Sequence, residues 1–183
     1  MKIILSVQPI RFPMTGIGRY TLELARHLQA IPDIEELKFF GDEHFVDGLP
    51  VPGNSRSKPA SLVTRIKHRL ARNPVLLDIY RKRVHDRRGR ALKDNGDYLY
   101  HGPNFYLPPF PGRSVVTIHD LSVFTMPEHH PVERVMFIRK EVEFALKQAT
   151  MLITDAEYTR HEVADYFGWP LDKVRSAALA GGA

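Results

Sequence analysis

The chain has 183 residues, no cysteine, 43% apolar and 10% aromatic residues, and a formal net charge of +5 at neutral pH. This is enough chain for one domain of ordinary size with a real core. It excludes disulfides and cysteine-based metal sites and leaves a reducing compartment open. No run approaches the roughly 18 apolar residues of a membrane span. The short apolar start is cut off by Pro9 and Arg11, unlike a secretory signal, so the sequence reads as cytoplasmic.

The charge is concentrated. Residues 56–93 hold 13 Lys and Arg against two acids, Asp78 and Asp86, and the rest of the chain is net acidic. One local attractive face is expected, not a basic coat over the whole surface.

In chain order, Lys2–Val7 is a short β-branched apolar run and predicts a buried strand. Gln8–Ile17 is a loop, and Gly18–Ala30 a helix with one apolar face, stopped by Pro32. Glu36–Phe40 predicts a second strand, and Gly41–Pro59 a polar loop. Leu62, Val63, Ile66 and Leu70 have helical spacing up to the break at Asn73-Pro74. A further helix is expected over Val75–Lys93. Asp97–Tyr100 and Ser114–His119 read as strands, separated by a loop with Pro108, Pro109 and Pro111. Val132–Gln148 reads as a helix, Met151–Thr154 as a strand, Ala156–Phe167 as a helix stopped by Gly168, and Val174–Leu179 as a final strand.

Short apolar strands alternating with helices predict an α/β fold: a Rossmann-like, doubly wound, mostly parallel sheet with helices on both faces, in a single domain over 1–183. Ligands in such sheets bind at the carboxyl ends of the strands, near the point where strand order reverses. Four loops are singled out: Gln8–Gly18, His101–Gly112, His119–Met126 and Asp155–Thr159.

In the first loop, Thr15-Gly16-Ile17-Gly18-Arg19-Tyr20 opens a helix. Its glycines would let backbone approach a ligand, and the helix start offers N–H groups to an anion. It is neither Gly-x-Gly-x-x-Gly nor a P-loop, and a tight turn into a helix is the other reading. His119-Asp120 follows a strand. The imidazole could exchange a hydrogen bond with a sugar hydroxyl while Asp120 orients it, or the histidine could simply cap the next turn. His101-Gly102-Pro103-Asn104 could line the same crevice or be an irregular turn. His129 and His130 make a poor metal pair, and no Asp-x-Asp stands at a strand end, so the sequence gives no case for a metal.

Thr-Gly-Ile-Gly-Arg-Tyr (15–20), Tyr-His-Gly-Pro-Asn-Phe (100–105), Val-Val-Thr-Ile-His-Asp-Leu (115–121), Ile-Thr-Asp-Ala-Glu-Tyr-Thr-Arg (153–160) and Tyr-Phe-Gly-Trp-Pro-Leu-Asp-Lys-Val-Arg (166–175) occur in that order. Together they resemble the amino-terminal domain of family 4 glycosyltransferases, above all the mannosyltransferase-like members that build surface polysaccharide such as lipopolysaccharide. The stretch 42–95 does not carry the resemblance. The resemblance implies the GT-B fold, two Rossmann-like domains facing a cleft. Gly16, Ile17, Gly18, Arg19, Tyr20, His101, Asn104 and Glu157 would line the donor or acceptor, with His119 near the anomeric centre and Asp120 beside it. It implies transfer with retention from a nucleotide-sugar donor to a glycan or lipid-linked acceptor, with no metal, cofactor or protein nucleophile. The carboxy-terminal, donor-binding domain of such enzymes is expected to be missing here, leaving the isolated chain inactive.

The basic block allows a second role. Arg65, Lys67, Arg69, Arg72, Arg81, Lys82 and Arg83 lie between apolar residues at helical spacing and could hold an anionic membrane surface, making the protein peripheral at the inner face of the cytoplasmic membrane. Solvated helices packed on the domain are the plainer expectation. Nucleic acid is not expected, because no motif is present and Tyr80 is the block's sole aromatic residue. The alternative function is a non-catalytic Rossmann-like binding module that uses this face for an anionic partner.

Overall fold

A computed structural model describes residues 1–51 and 73–177. In chain order these form β1 (Lys2–Ser6), α1 (Gly16–Gln29), β2 (Glu36–Phe40), β3 (Phe45–Val46), α2 (Pro74–Leu92), β4 (Leu99–Gly102), β5 (Arg113–Ile118), α3 (Ser122–Thr125), α4 (Val132–Gln148), β6 (Met151–Thr154), α5 (Glu157–Phe167) and β7 (Val174–Ser176), with single 3-10 turns at Pro127–His129 and Leu171–Lys173.

The strands make one seven-stranded sheet in the order β3-β2-β1-β4-β5-β6-β7, parallel throughout except for the antiparallel β2–β3 edge. The expected α/β, Rossmann-like architecture is therefore present. The strand order reverses between β1 and β4, which is where a doubly wound sheet opens its ligand crevice.

Side chains alternate across the sheet, and the pairing register carries that alternation from strand to strand. Leu5 and Phe39 pack with Val7 and Ile10 of the loop after β1 and with Ala25 of α1 on one face. Ile4, Phe40, Tyr100, Val116, Ile118, Leu152 and Val174 point to the other face, where Leu92 of α2, Ile138 and Val142 of α4 and Val163 of α5 cover them. Two separate apolar clusters, one per face, hold the helices on both sides.

Several boundaries differ from expectation for local reasons. α1 begins at Gly16, two residues early, because Thr15 caps it: the Thr15 hydroxyl accepts from the Gly18 N–H at 3.1 Å. β4 lies two residues further on than expected, because its pairing with β1 starts at Leu99. β3 and α3 were expected as loop; at two and four residues both are too short to show a period. α5 does end at Gly168, whose φ of 64° takes the left-handed cap that favours glycine. β7 runs to Ser176, with the stretch beyond Ala177 outside the described residues, as is the predicted helical spacing at Leu62–Leu70.

Candidate functional site

His119 and Asp155 each stand one residue beyond a strand end. The β5–β6 register pairs Ile118 with Thr154, so the next residues stand level and share a face. The result is a close pair: His119 Nδ1 lies 2.6 Å from Asp155 Oδ2, and His119 Nε2 lies 2.8 Å from the Pro103 carbonyl oxygen, beyond the end of β4. Burial works against charge on the ring. The Asp155 hydrogen bond and charge, the Pro103 carbonyl and the Asp120 charge outweigh it and hold the His119 pKa above the ordinary histidine value. The carboxylate that orients the ring is thus Asp155. Asp120 instead accepts from Ser122 N at 2.8 Å and Ser122 Oγ at 2.6 Å, opening α3.

The same face carries a second layer. The Tyr20 ring, on α1, meets His119 edge-on at 4.9 Å, and its hydroxyl lies 3.3 Å from Thr117 Oγ1. His101 Nε2 lies 2.9 Å from the same Thr117 oxygen. His101 is buried within β4, and burial, with His119 nearby, brings its pKa down to about 4, so it is neutral at physiological pH. Tyr20 therefore packs on His119 directly, and Thr117 ties Tyr20 to buried His101. In the loop after β4, Phe105 takes a left-handed φ of 54° while its buried ring packs toward His119 at 6.4 Å. A bulky residue held there costs on the order of 1–3 kcal/mol, and such strain collects at functional sites.

A cavity of about 390 Å³ opens at the switch point. Gln8 and Thr15 line it from the loop after β1, Ile17 from the first turn of α1, Asn104 and Tyr106 from the loop after β4, and Arg88 from α2. Asn104 Oδ1 and Asp155 Oδ1 are buried with no hydrogen-bond partner among the described residues. Arg19 is exposed in the first turn of α1.

The two glycines of the first loop differ. A Cβ on Gly18 would stand 2.9 Å from the Pro9 carbonyl oxygen and 3.2 Å from Met14 Sδ, so Gly18 allows the loop to close on itself. A Cβ on Gly16 would meet nothing within 4 Å. Gly18→Ala is expected to lower stability by about 1–3 kcal/mol through overpacking. Gly16→Ala should leave the melting temperature unchanged or slightly higher, helix propensity favouring alanine. Thermal melts of the two variants check this.

The chain is 42% identical, over 98% of its length, to O-antigen chain mannosyltransferase B of Escherichia coli. The chain is thus similar to a glycosyltransferase. It spans 47% of that relative's length. No family model matches it.

The basic helix α2 lines the cavity with Tyr80, Arg81, Val84, His85 and Arg88. On α2, Arg81 turns inward: its Nε donates to Glu141 Oε1 on α4 at 2.6 Å, and His85 Nε2 lies 3.1 Å from Glu141 Oε2. Arg81 therefore leaves the set of surface cations expected for a membrane, while Lys82 and Arg83 stay exposed. Arg65, Lys67, Arg69 and Arg72 lie outside the described residues. Glu157, at the start of α5, is held by Arg160 Nη1 and by Ser176 Oγ at 2.6 Å, which ties α5 to β7. Among the described residues there is no group of three or more metal-ligating side chains, and no helix is long and apolar enough to cross a membrane.

Sequence reasoning missed Asp155, although it singled out the loop that begins there. The signal was available in the parity of two adjacent strands: His119 and Asp155 each follow a run whose last residue faces the opposite side. Reading it required knowing that β5 and β6 are neighbours in that register.

Proposed function

We propose that this chain is the acceptor-side half of a retaining glycosyltransferase that moves mannose from a nucleotide-sugar donor to a glycan or lipid-linked acceptor in surface polysaccharide synthesis. The observation that carries the proposal is the 42% identity over 98% of the chain to an O-antigen chain mannosyltransferase. The strand-end cluster around His119 supports it, lying at the end of the sheet where a donor would meet the cavity at the switch point. In this proposal the cavity receives the acceptor, and the remainder of a longer protein holds the nucleotide. Transfer needs no metal and no nucleophile from this chain.

The test compares the 183-residue chain with a protein extended to the relative's length. Each is incubated with a panel of nucleotide sugars, GDP-mannose among them, with and without chelator. Transfer by the longer protein alone, unaffected by chelation, is expected. Turnover by the short chain would overturn the division of the site, and loss on chelation would overturn metal independence.

One observation favours a peripheral membrane contact at the inner face of the cytoplasmic membrane. The start of α2 exposes Val75, Leu76, Ile79 and Tyr80, at 64%, 39%, 46% and 52%, beside Lys82 and Arg83. Apolar side chains next to cations suit an anionic lipid surface, where each cation contributes roughly 1 kcal/mol. Co-sedimentation should be stronger with vesicles containing anionic lipid than with neutral ones, and should fall in Ile79→Ser/Tyr80→Ser. Equal binding to both vesicle types would remove the membrane contact.

A further inference from the structure

Both ring nitrogens of His119 end on acceptors. A backbone carbonyl has no proton to give, so Nε2 carries the hydrogen in its 2.8 Å contact with Pro103. Nδ1 lies 2.6 Å from Asp155 Oδ2. In water a carboxylic acid gives up its proton about two pH units before an imidazolium does. The shared proton therefore belongs to the ring, and Nδ1 donates as well.

The surroundings fix this state. The His119 side chain is only 10% exposed, with Tyr20 against its ring from α1 and Phe105 from the loop after β4. The charged and titratable groups that face it are Asp155, Asp120, the Tyr20 phenol and neutral His101. Asp155 Oδ1 is buried without a partner, so His119 is the hydrogen-bond donor to this carboxylate among the described residues. A general base at this position would need a free ring nitrogen within reach of the substrate. This ring has none.

We propose that Asp155 is the positioning residue of the site: it holds His119 as an imidazolium with both N–H groups engaged inside the protein, so that His119 acts on a bound ligand through charge and ring contact and neither takes nor gives a proton in the reaction. The catalytic meaning of this inference rests on the glycosyltransferase proposal; the protonation state does not.

The test is a pH titration of a protein extended to the relative's length, labelled with ¹⁵N-histidine and followed by NMR, for wild type and Asp155→Asn. Wild type should show both His119 ring nitrogens protonated at neutral pH and a midpoint above the free value of about 6.5. Asp155→Asn should bring the midpoint below that value, lower kcat by about tenfold or more with little change in KM, and move the alkaline limb of the pH–rate profile to lower pH. Stability has a defined sign. A raised folded-state pKa stabilises fully below the unfolded value and loses that contribution as pH rises through the folded one. Melting temperatures of the two proteins should thus differ most near pH 6 and converge at alkaline pH. A wild-type His119 that carries a single ring proton at neutral pH, or titrates at or below 6.5, overturns the proposal even if the variant fails to fold. An unchanged midpoint in Asp155→Asn overturns the role of Asp155. The expected titration in a protein that transfers no sugar from any donor supports the hold of Asp155 and overturns the glycosyltransferase reading alone.

Discussion

Glu141→Ala is expected to lower unfolding free energy by about 3–5 kcal/mol, the cost of removing one partner from a buried ion pair. Glu141 is 3% exposed, and its two carboxylate oxygens meet Arg81 and His85 separately. Truncation leaves the Arg81 guanidinium, whose side chain is 15% exposed, facing α4 without its main counter-charge. It also removes one of the links between α2 and α4, leaving the Lys140–Asp78 ion pair and the contact of the His85 ring with Phe144. Urea unfolding checks the magnitude. The pH dependence has a fixed sign. Burial opposes ionisation of Glu141, but the hydrogen bonds and charges of His85 and Arg81 overcome it and lower its pKa. A depressed carboxylate stabilises fully above its unfolded value, about 4.3, and loses that contribution only as pH falls through the lower folded value. The gap between wild type and Glu141→Gln should therefore be complete at neutral pH and close in acid.

His119→Ala is expected to lower kcat by about 10²–10³-fold, the range for removing one preorganised electrostatic group from an active site. The substitution also strands Asp155, whose Oδ2 loses its donor and whose Oδ1 already has none. A further loss of about 1–3 kcal/mol in stability follows from leaving a buried acceptor unpaired. The two effects separate in the double variant His119→Ala/Asp155→Ala, which should recover much of the stability and none of the activity. Steady-state kinetics and thermal melts on the same preparations read both.

Much of this was legible in the sequence, for reasons visible in particular residues. β6 and α4 were located to the residue, because Met151–Thr154 is a compact apolar run and Val132–Gln148 keeps helical spacing between a proline and the next strand. The crevice was legible because strand-end position is a topological rule. Features that depend on contacts between distant elements were not. Arg81 looks like its neighbours Lys82 and Arg83 until Glu141, 60 residues away, is seen to face it. Gly18 looks like a ligand-facing glycine until Pro9 is found above it. Asp120 adjoins His119 in sequence and suggests an orienting carboxylate, yet the strand register gives that place to Asp155 and leaves Asp120 to start a helical turn. In each case the deciding partner lies away from the residue in sequence, which proximity along the chain does not reveal.

The most direct test of the central claim is a transfer assay with a protein extended to the relative's length, supplied with GDP-mannose and a lipid-linked glycan acceptor, with the anomeric configuration of the product determined by NMR. The account predicts a mannosylated product that keeps the donor's configuration and a rate that collapses in His119→Ala. Absence of transfer from any nucleotide sugar by a folded protein, or full activity in the His119 variant, would contradict it.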